Sequence, residues 1–98
     1  MQRPWLAHYP AGVPAEIPAD RPASLVELID QSFARYADRV AYVCMGKSMT
    51  FAETDRLSAA VAVWLQSLQL APGTRVAVMM PNVLQYMVCV AGILRAGH

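Results

Sequence analysis

Arg75-Val76-Ala77-Val78-Met79-Met80-Pro81-Asn82, running on through Val83 to Gly97, decides the fold. Val76 to Met80 is a continuous apolar run bounded by Pro72-Gly73 before and Pro81-Asn82 after. Such a run predicts a short strand covered on both faces, as in a parallel sheet. Pro81 ends it, because proline has no N–H for a ladder and holds φ fixed. Asn82 is the expected N-cap of a following helix, and Gln85 stands three residues on, where a capping box wants Glu or Gln. That helix is expected from Val83 to about Ala96, with Arg95 favourable to the dipole and Gly97 as the residue that ends it. Only Gln85, Tyr86 and Arg95 carry clearly polar groups along it. A helix apolar on nearly every face must be buried on nearly every face, and a chain of 98 residues hardly supplies that cover.

Composition points the same way. Apolar residues make up 56% of the chain and charged residues 15%, against about 25% charged in a typical soluble domain. The chain is short of polar surface, as expected for a piece of something larger. Net charge is +1 with no basic run, so nucleic acid is not an expected partner. Cys44 and Cys89 fall inside a predicted strand and helix and read as buried free thiols in a reducing compartment. No CxxC or Cys/His cluster suggests a metal. The first residues hold Pro4 and Pro10 and no apolar core of a signal peptide. Val83 to Leu94 is too short to span a bilayer, which takes about 20 residues.

Residues 1–23 hold five of the seven prolines. Their spacing argues against regular helix and for an extended strap, anchored by Trp5, Leu6, Tyr9, Val13 and Ile17. The alternative is a disordered tail, against which the apolar anchors weigh. Residues 24–98 read as an α/β portion. Ser24-Leu25-Val26-Glu27 is a capping box. The helix after it places Leu25, Leu28, Ile29, Phe33 and Tyr36 on one face and ends near Ala37. Val40 to Met45 predicts a strand, Gly46-Lys47 a hairpin turn and Ser48 to Thr50 the return. Thr50-Phe51-Ala52-Glu53 is a second capping box, opening a helix with Leu57, Val61, Trp64, Leu65 and Leu68 on one stripe. Ala71-Pro72-Gly73-Thr74 has Pro and Gly at the type II turn positions. After the last helix, a right-handed crossover is expected to deliver another parallel strand beside Val76–Met80, and His98 lies on that connection. The fold class is therefore α/β: a partial N-terminal subdomain with a β-hairpin and the start of a parallel sheet, packed by helices.

The residues alone reveal no activity. There is no GxGxxG and no glycine-lysine phosphate loop. The serines have no nearby histidine or glycine elbow. His8 lies in the strap and His98 at the last position. Glu27 and Glu53 read as capping residues, and Trp5 and Trp64 as packing anchors.

A resemblance supplies what chemistry does not. Trp5-Leu6, Tyr9-Pro10, Val13-Pro14, the Ser24-Leu25-Val26 start and Ala34-Arg35-Tyr36-Ala37-Asp38 together resemble the opening of bacterial long-chain fatty acid–CoA ligases. Met49-Thr50-Phe51, Pro72-Gly73-Thr74-Arg75-Val76-Ala77 with Pro81-Asn82, and Gly92-Ile93-Leu94-Arg95-Ala96-Gly97 resemble segments of the wider adenylate-forming, AMP-binding superfamily. Thr74 stands where Asp is commoner. The resemblance implies an N-terminal fragment of an enzyme that makes an acyl-adenylate from ATP and passes the acyl group to coenzyme A, with Mg²⁺ on the phosphates. The family's working motifs lie downstream of His98, so the expectation is no catalytic, cofactor-binding or metal residue here, no cofactor bound, and no activity from this piece. The implied partners are the remainder of the same ligase chain and, for the whole enzyme, fatty acid, ATP and CoA. Self-association of the fragment is a further expectation. The implied location is cytoplasmic, with peripheral contact of the parent enzyme at the inner membrane face. Two alternatives stay open: a ligase of the same superfamily for another carboxylate, and an independent small α/β interaction module.

Overall fold

The computed structural model describes residues 2–19 and 21–98. Three helices and one hairpin follow in order: α1 (Leu25–Arg35), β1 (Val40–Cys44), β2 (Lys47–Thr50), α2 (Phe51–Ser67) and α3 (Leu84–Arg95). The architecture is mixed α/β, as the sequence predicts. Among the described residues the only sheet is the antiparallel pair β1–β2.

The hairpin turns one residue earlier than expected. Met45 and Gly46 occupy it, with φ of 50° and 75°, and Cys44 pairs Lys47. Two successive positive φ values match the twist of paired strands, so Met45 takes a left-handed conformation that residues with a side chain ordinarily avoid. A bulge at Ala41 shifts the register between Val40↔Thr50 and Tyr42↔Met49.

α1 begins at Ser24, whose hydroxyl accepts from Glu27 N–H at 3.1 Å. The reciprocal half of the box is displaced: the Glu27 carboxylate accepts from Ala23 N–H, one residue upstream of the cap, at 2.7 Å. The helix ends at Arg35 rather than near Ala37. Of its expected apolar face, Phe33 is buried, Ile29 and Tyr36 are half-buried, and Leu25 and Leu28 are exposed.

α2 keeps part of its expected stripe, with Leu65 buried and Leu57 and Val61 half-buried, and adds small residues to it. Thr54, Ser58, Ala62 and Leu65 face inward, while Trp64 is 60% exposed and Leu68 is exposed. The reason is the approach of α3. A Cβ on Gly92 would lie 2.6 Å from Val61 Cγ1 and 3.0 Å from Ser58 O. Helices this close need a glycine where Val61 meets α3, and small side chains at 54, 58 and 62 beside it. Thr54 and Ser58 satisfy their hydroxyls within the helix, on Thr50 O and Asp55 O.

The segment expected as a parallel strand is extended but unpaired. Val76, Val78 and Met80 are half-buried while Ala77 and Met79 are exposed, the period-two alternation of a strand. No other strand lies beside it among the described residues. Pairing, not sequence pattern, makes a ladder, and among the described residues no second segment pairs with that edge.

α3 is shorter than expected at its start. Asn82 is not its cap; Val83 is, with no side-chain hydrogen bond, and Gln85 completes no box. The tight turn at Pro81, where Val83 N–H donates to Pro81 O at 2.8 Å, carries the helix start past Asn82. Its end matches expectation. Gly97 has φ of 91°, its N–H donates to Leu94 O, and His98 N–H donates to Ile93 O, the paired bonds of a Schellman ending.

Among the described strap residues, Pro4–His8 forms a 3₁₀ turn, begun by a proline whose missing N–H costs a helix start nothing. Trp5, Tyr9, Val13 and Ile17 are exposed; Leu6 is half-buried. The chain exposes 7689 Å², where a folded monomer of this mass exposes about 5,500 Å². Its radius of gyration is 16.8 Å, against about 13 Å for a compact domain of this length.

Candidate functional site

Three places gather what chemistry the chain has. The first is the start of α2. Phe51 N–H donates to Arg39 O, Ala52 N–H to Ala37 O, and Glu53 N–H to Thr50 Oγ1 at 3.1 Å. Glu53 returns the bond, its carboxylate accepting from Thr50 N–H at 2.8 Å. The Thr50 N–H, and then its hydroxyl, hold the Glu53 carboxyl below the usual carboxylate range. The chemistry here is structural, as the capping pattern predicts.

The second is Arg95. Its guanidinium reaches Asp30 of α1 at 3.2 Å and Asp55 of α2 at 2.8 Å. It also donates to Asp55 O and Ser58 Oγ and lies 5.6 Å from the centre of the Phe33 ring. The planar fork suits one arginine to several acceptors on two helices. The sequence reading assigns Arg95 only to the helix dipole; nothing in the sequence spacing announces that residues 30, 55 and 95 meet. Both carboxylates are thereby engaged with an arginine rather than free to bind a cation.

The third is the apolar surface around Val76–Met80. On one side, a groove of about 260 Å³ runs between this segment and the Trp64 face of α2, with Cys89 and Ile93 beneath. At the far end, a groove of about 440 Å³ lies between β1 and the start of α3, lined by Tyr42, Cys44, Val83 and Met87. The Cys44 thiol donates to Asn82 O at 3.6 Å across it. Cys44 and Cys89 are half-buried free thiols. α3, apolar almost throughout, fully buries only Val88, Ala91 and Gly92.

These residues do not fit ATP or a divalent ion. Among the described residues no three His, Cys, Asp or Glu side chains converge as metal ligands. Gly12 and Gly73 serve turns, Gly46 a hairpin, Gly97 a helix end, and Gly92 is packed against Val61, so none forms a phosphate cradle. His8 is exposed, and His98 Nδ1 is buried without a partner among the described residues. No described helix is long and apolar enough to cross a membrane.

One geometric relation organises the third place. Gly73 N–H donates to Gly97 O at 2.9 Å. The exit of α3 therefore lies beside the entry to the extended segment, the arrangement a parallel crossover requires.

Comparison with known proteins adds family to geometry. The model of the family described as "AMP-binding enzyme" matches residues 29–98. The chain is similar to the long-chain-fatty-acid–CoA ligase of Escherichia coli O157:H7, with 55% identity over 99% of the chain and 18% of the relative. It is similar to the ligase of the same name from Yersinia pestis, with 50% identity over 99% of the chain and 17% of the relative. It is also similar to triostin synthetase I of Streptomyces triostinicus, with 44% identity over 74% of the chain and 14% of that protein. The chain thus spans about 18% of the length of the first of these relatives. No solved structure matches.

Proposed function

The chain belongs to the AMP-binding enzyme family, and from that premise we propose that it is the N-terminal scaffold of an ATP-dependent long-chain fatty acid–CoA ligase. The observation that carries this reading is the 55% identity to a protein of that name along 99% of the chain. The structure supports it physically. An extended apolar segment without a partner, and an apolar α3 with few buried residues, are the faces of a lobe completed by further polypeptide.

In this reading residues 1–23 are the strap and 24–98 the truncated α/β portion of the AMP-binding domain. The remainder of the same polypeptide is the partner of the open faces. Fatty acid, ATP, Mg²⁺ and CoA belong to the longer enzyme, and this chain binds none of them. The Arg95 node and the Gly73–Gly97 bond give the scaffold its rigidity. Self-association of the 98-residue chain, cytoplasmic location and peripheral contact of the parent enzyme with the inner membrane face are parts of the same proposal. A second reading, a ligase of this superfamily for another carboxylate, is favoured by the similarity to triostin synthetase I.

The test is pyrophosphate exchange and acyl-CoA formation with long-chain fatty acids, run on the 98-residue chain and on the polypeptide continued through its natural reading frame. We expect neither activity from the first and both from the second. Turnover by the 98-residue chain would overturn the scaffold role. A longer protein that rejects every long-chain acid would move the assignment to the second reading.

A further inference from the structure

We propose that α1 and the strap ahead of it form a hinged arm, latched by Arg95, which swings free while α2 and α3 stay together. The Arg95 guanidinium is shared unequally between the helices. α2 offers it three acceptors: the Asp55 carboxylate at 2.8 Å, Ser58 Oγ at 2.8 Å and Asp55 O at 3.0 Å. α1 offers one, the Asp30 carboxylate at 3.2 Å, on a side chain 47% exposed. The fully buried residue of α1 is Phe33, and its ring lies against the same guanidinium. Both firm attachments of α1 therefore meet on one side chain that α2 holds more tightly. The packing around them is loose. A cavity of about 170 Å³ lies between Leu28, Ile29 and Phe33 of α1 and Tyr42, Phe51 and Met87 across from them.

The downstream end of the arm is pinned. Phe51 N–H donates to Arg39 O and Ala52 N–H to Ala37 O, so the connection from Tyr36 to Arg39 stays on the start of α2 while α1 turns about it. The upstream end is not pinned. Among the described residues, the hydrogen bonds and ion pairs of the strap close within the strap or onto α1: Arg3 pairs Glu16, and Ala23 N–H donates to Glu27. Arm and strap thus move as one body. An element held by few buried apolar contacts opens at lower cost than the core it leaves, and salt weakens an exposed ion pair.

Hydrogen exchange read by mass spectrometry tests the latch. The polypeptide continued through its natural reading frame is the sample, so that the result does not turn on the edge at Val76–Met80. Asp30→Asn removes the ion pair on the α1 side and keeps the shape of the side chain. Amides of residues 25–35 are expected to exchange about two- to fivefold faster in this variant, with those of 51–67 and 84–95 unchanged. Asp55→Asn is expected to leave exchange in 25–35 as it was, because Arg95 keeps Ser58 Oγ and Asp55 O on α2. In the unsubstituted protein, raising salt from about 0.1 M to about 1 M is expected to bring α1 toward the rate of the Asp30→Asn protein. Equal acceleration of all three helices, no acceleration in Asp30→Asn, an Asp55→Asn protein that speeds α1 as much, or an α1 indifferent to salt would each overturn the latch. Exchange is read whatever the longer polypeptide does with ATP and fatty acid, so this proposal and the ligase reading fail separately.

Discussion

The chain passes from extended backbone into helix twice, and the two passages are built differently. At Thr50 the strand is paired, the helix begins on the next residue, and its first three N–H groups all find acceptors. At Pro81 the extended segment is unpaired, the helix begins three residues later, and no side chain caps it. The first passage is completed by residues that all lie between Ala37 and Glu53. The second depends on α2, which lies earlier in the chain, and on whatever covers its open edge. Local sequence can finish a structure only where its partners are local.

The largest expected effect comes from removing the tertiary support of the second passage. Gly92→Val places new atoms where Val61 and Ser58 O already stand, and should cost about 3 kcal/mol in chemical denaturation. An unchanged midpoint would show that α2 and α3 do not hold each other at this point. A smaller effect sharpens the contrast between the two helix starts. Thr50→Ala should cost about 1 kcal/mol, while Asn82→Ala, which removes no capping bond, should cost less than about 0.5 kcal/mol. Equal losses at the two positions would erase the difference between a capped and an uncapped start. The smallest effect is one of pH. A carboxylate held below its ordinary value of 4.5 in the folded chain contributes stability that is complete above that value. The contribution is lost as pH falls through the lower, folded pKa. Glu53→Gln should therefore flatten the acid limb of the stability profile, measured by denaturation at a series of pH values, and leave its shape near neutrality unchanged.

The same contrast explains what could be read from the sequence. Both capping serine and threonine positions, the type II turn at Gly73 and the ending at Gly97 were legible, because each is decided by side chains within a few residues. The hairpin was legible as a hairpin, but its turn was not. Gly46 advertises a positive φ, and Met45 beside it does not. Asn82 misled because a good capping residue is only a preference, and the bond across Pro81 moved the helix start past it. The buried stripe of α2 was legible at Leu65 and in part at Leu57 and Val61, but not at Trp64 and Leu68, which stay exposed, nor at Thr54 and Ser58, which the approach of α3 buries. Arg95 was the largest omission. Its four acceptors come from residues 30, 55 and 58, and no local pattern links them. The resemblance to long-chain fatty acid–CoA ligases was legible throughout, while the residues themselves disclosed no site, since the groups they bring together are occupied in holding helices.

The hydrogen bond between Gly73 and Gly97 closes the second passage into a circuit of matched lengths. Seven extended residues, Thr74 to Met80, carry the chain outward by about 23 Å, and the twelve residues of α3 bring it back by about 18 Å, with the Pro81 corner between. The two arms count differently. One residue added to α3 advances it by only about 1.5 Å but rotates every later residue by about 100°. One residue added to the outward arm exchanges its inner and outer sides completely. The circuit therefore works as a gauge: its closure fixes both the number of residues in each arm and which of them face the helices.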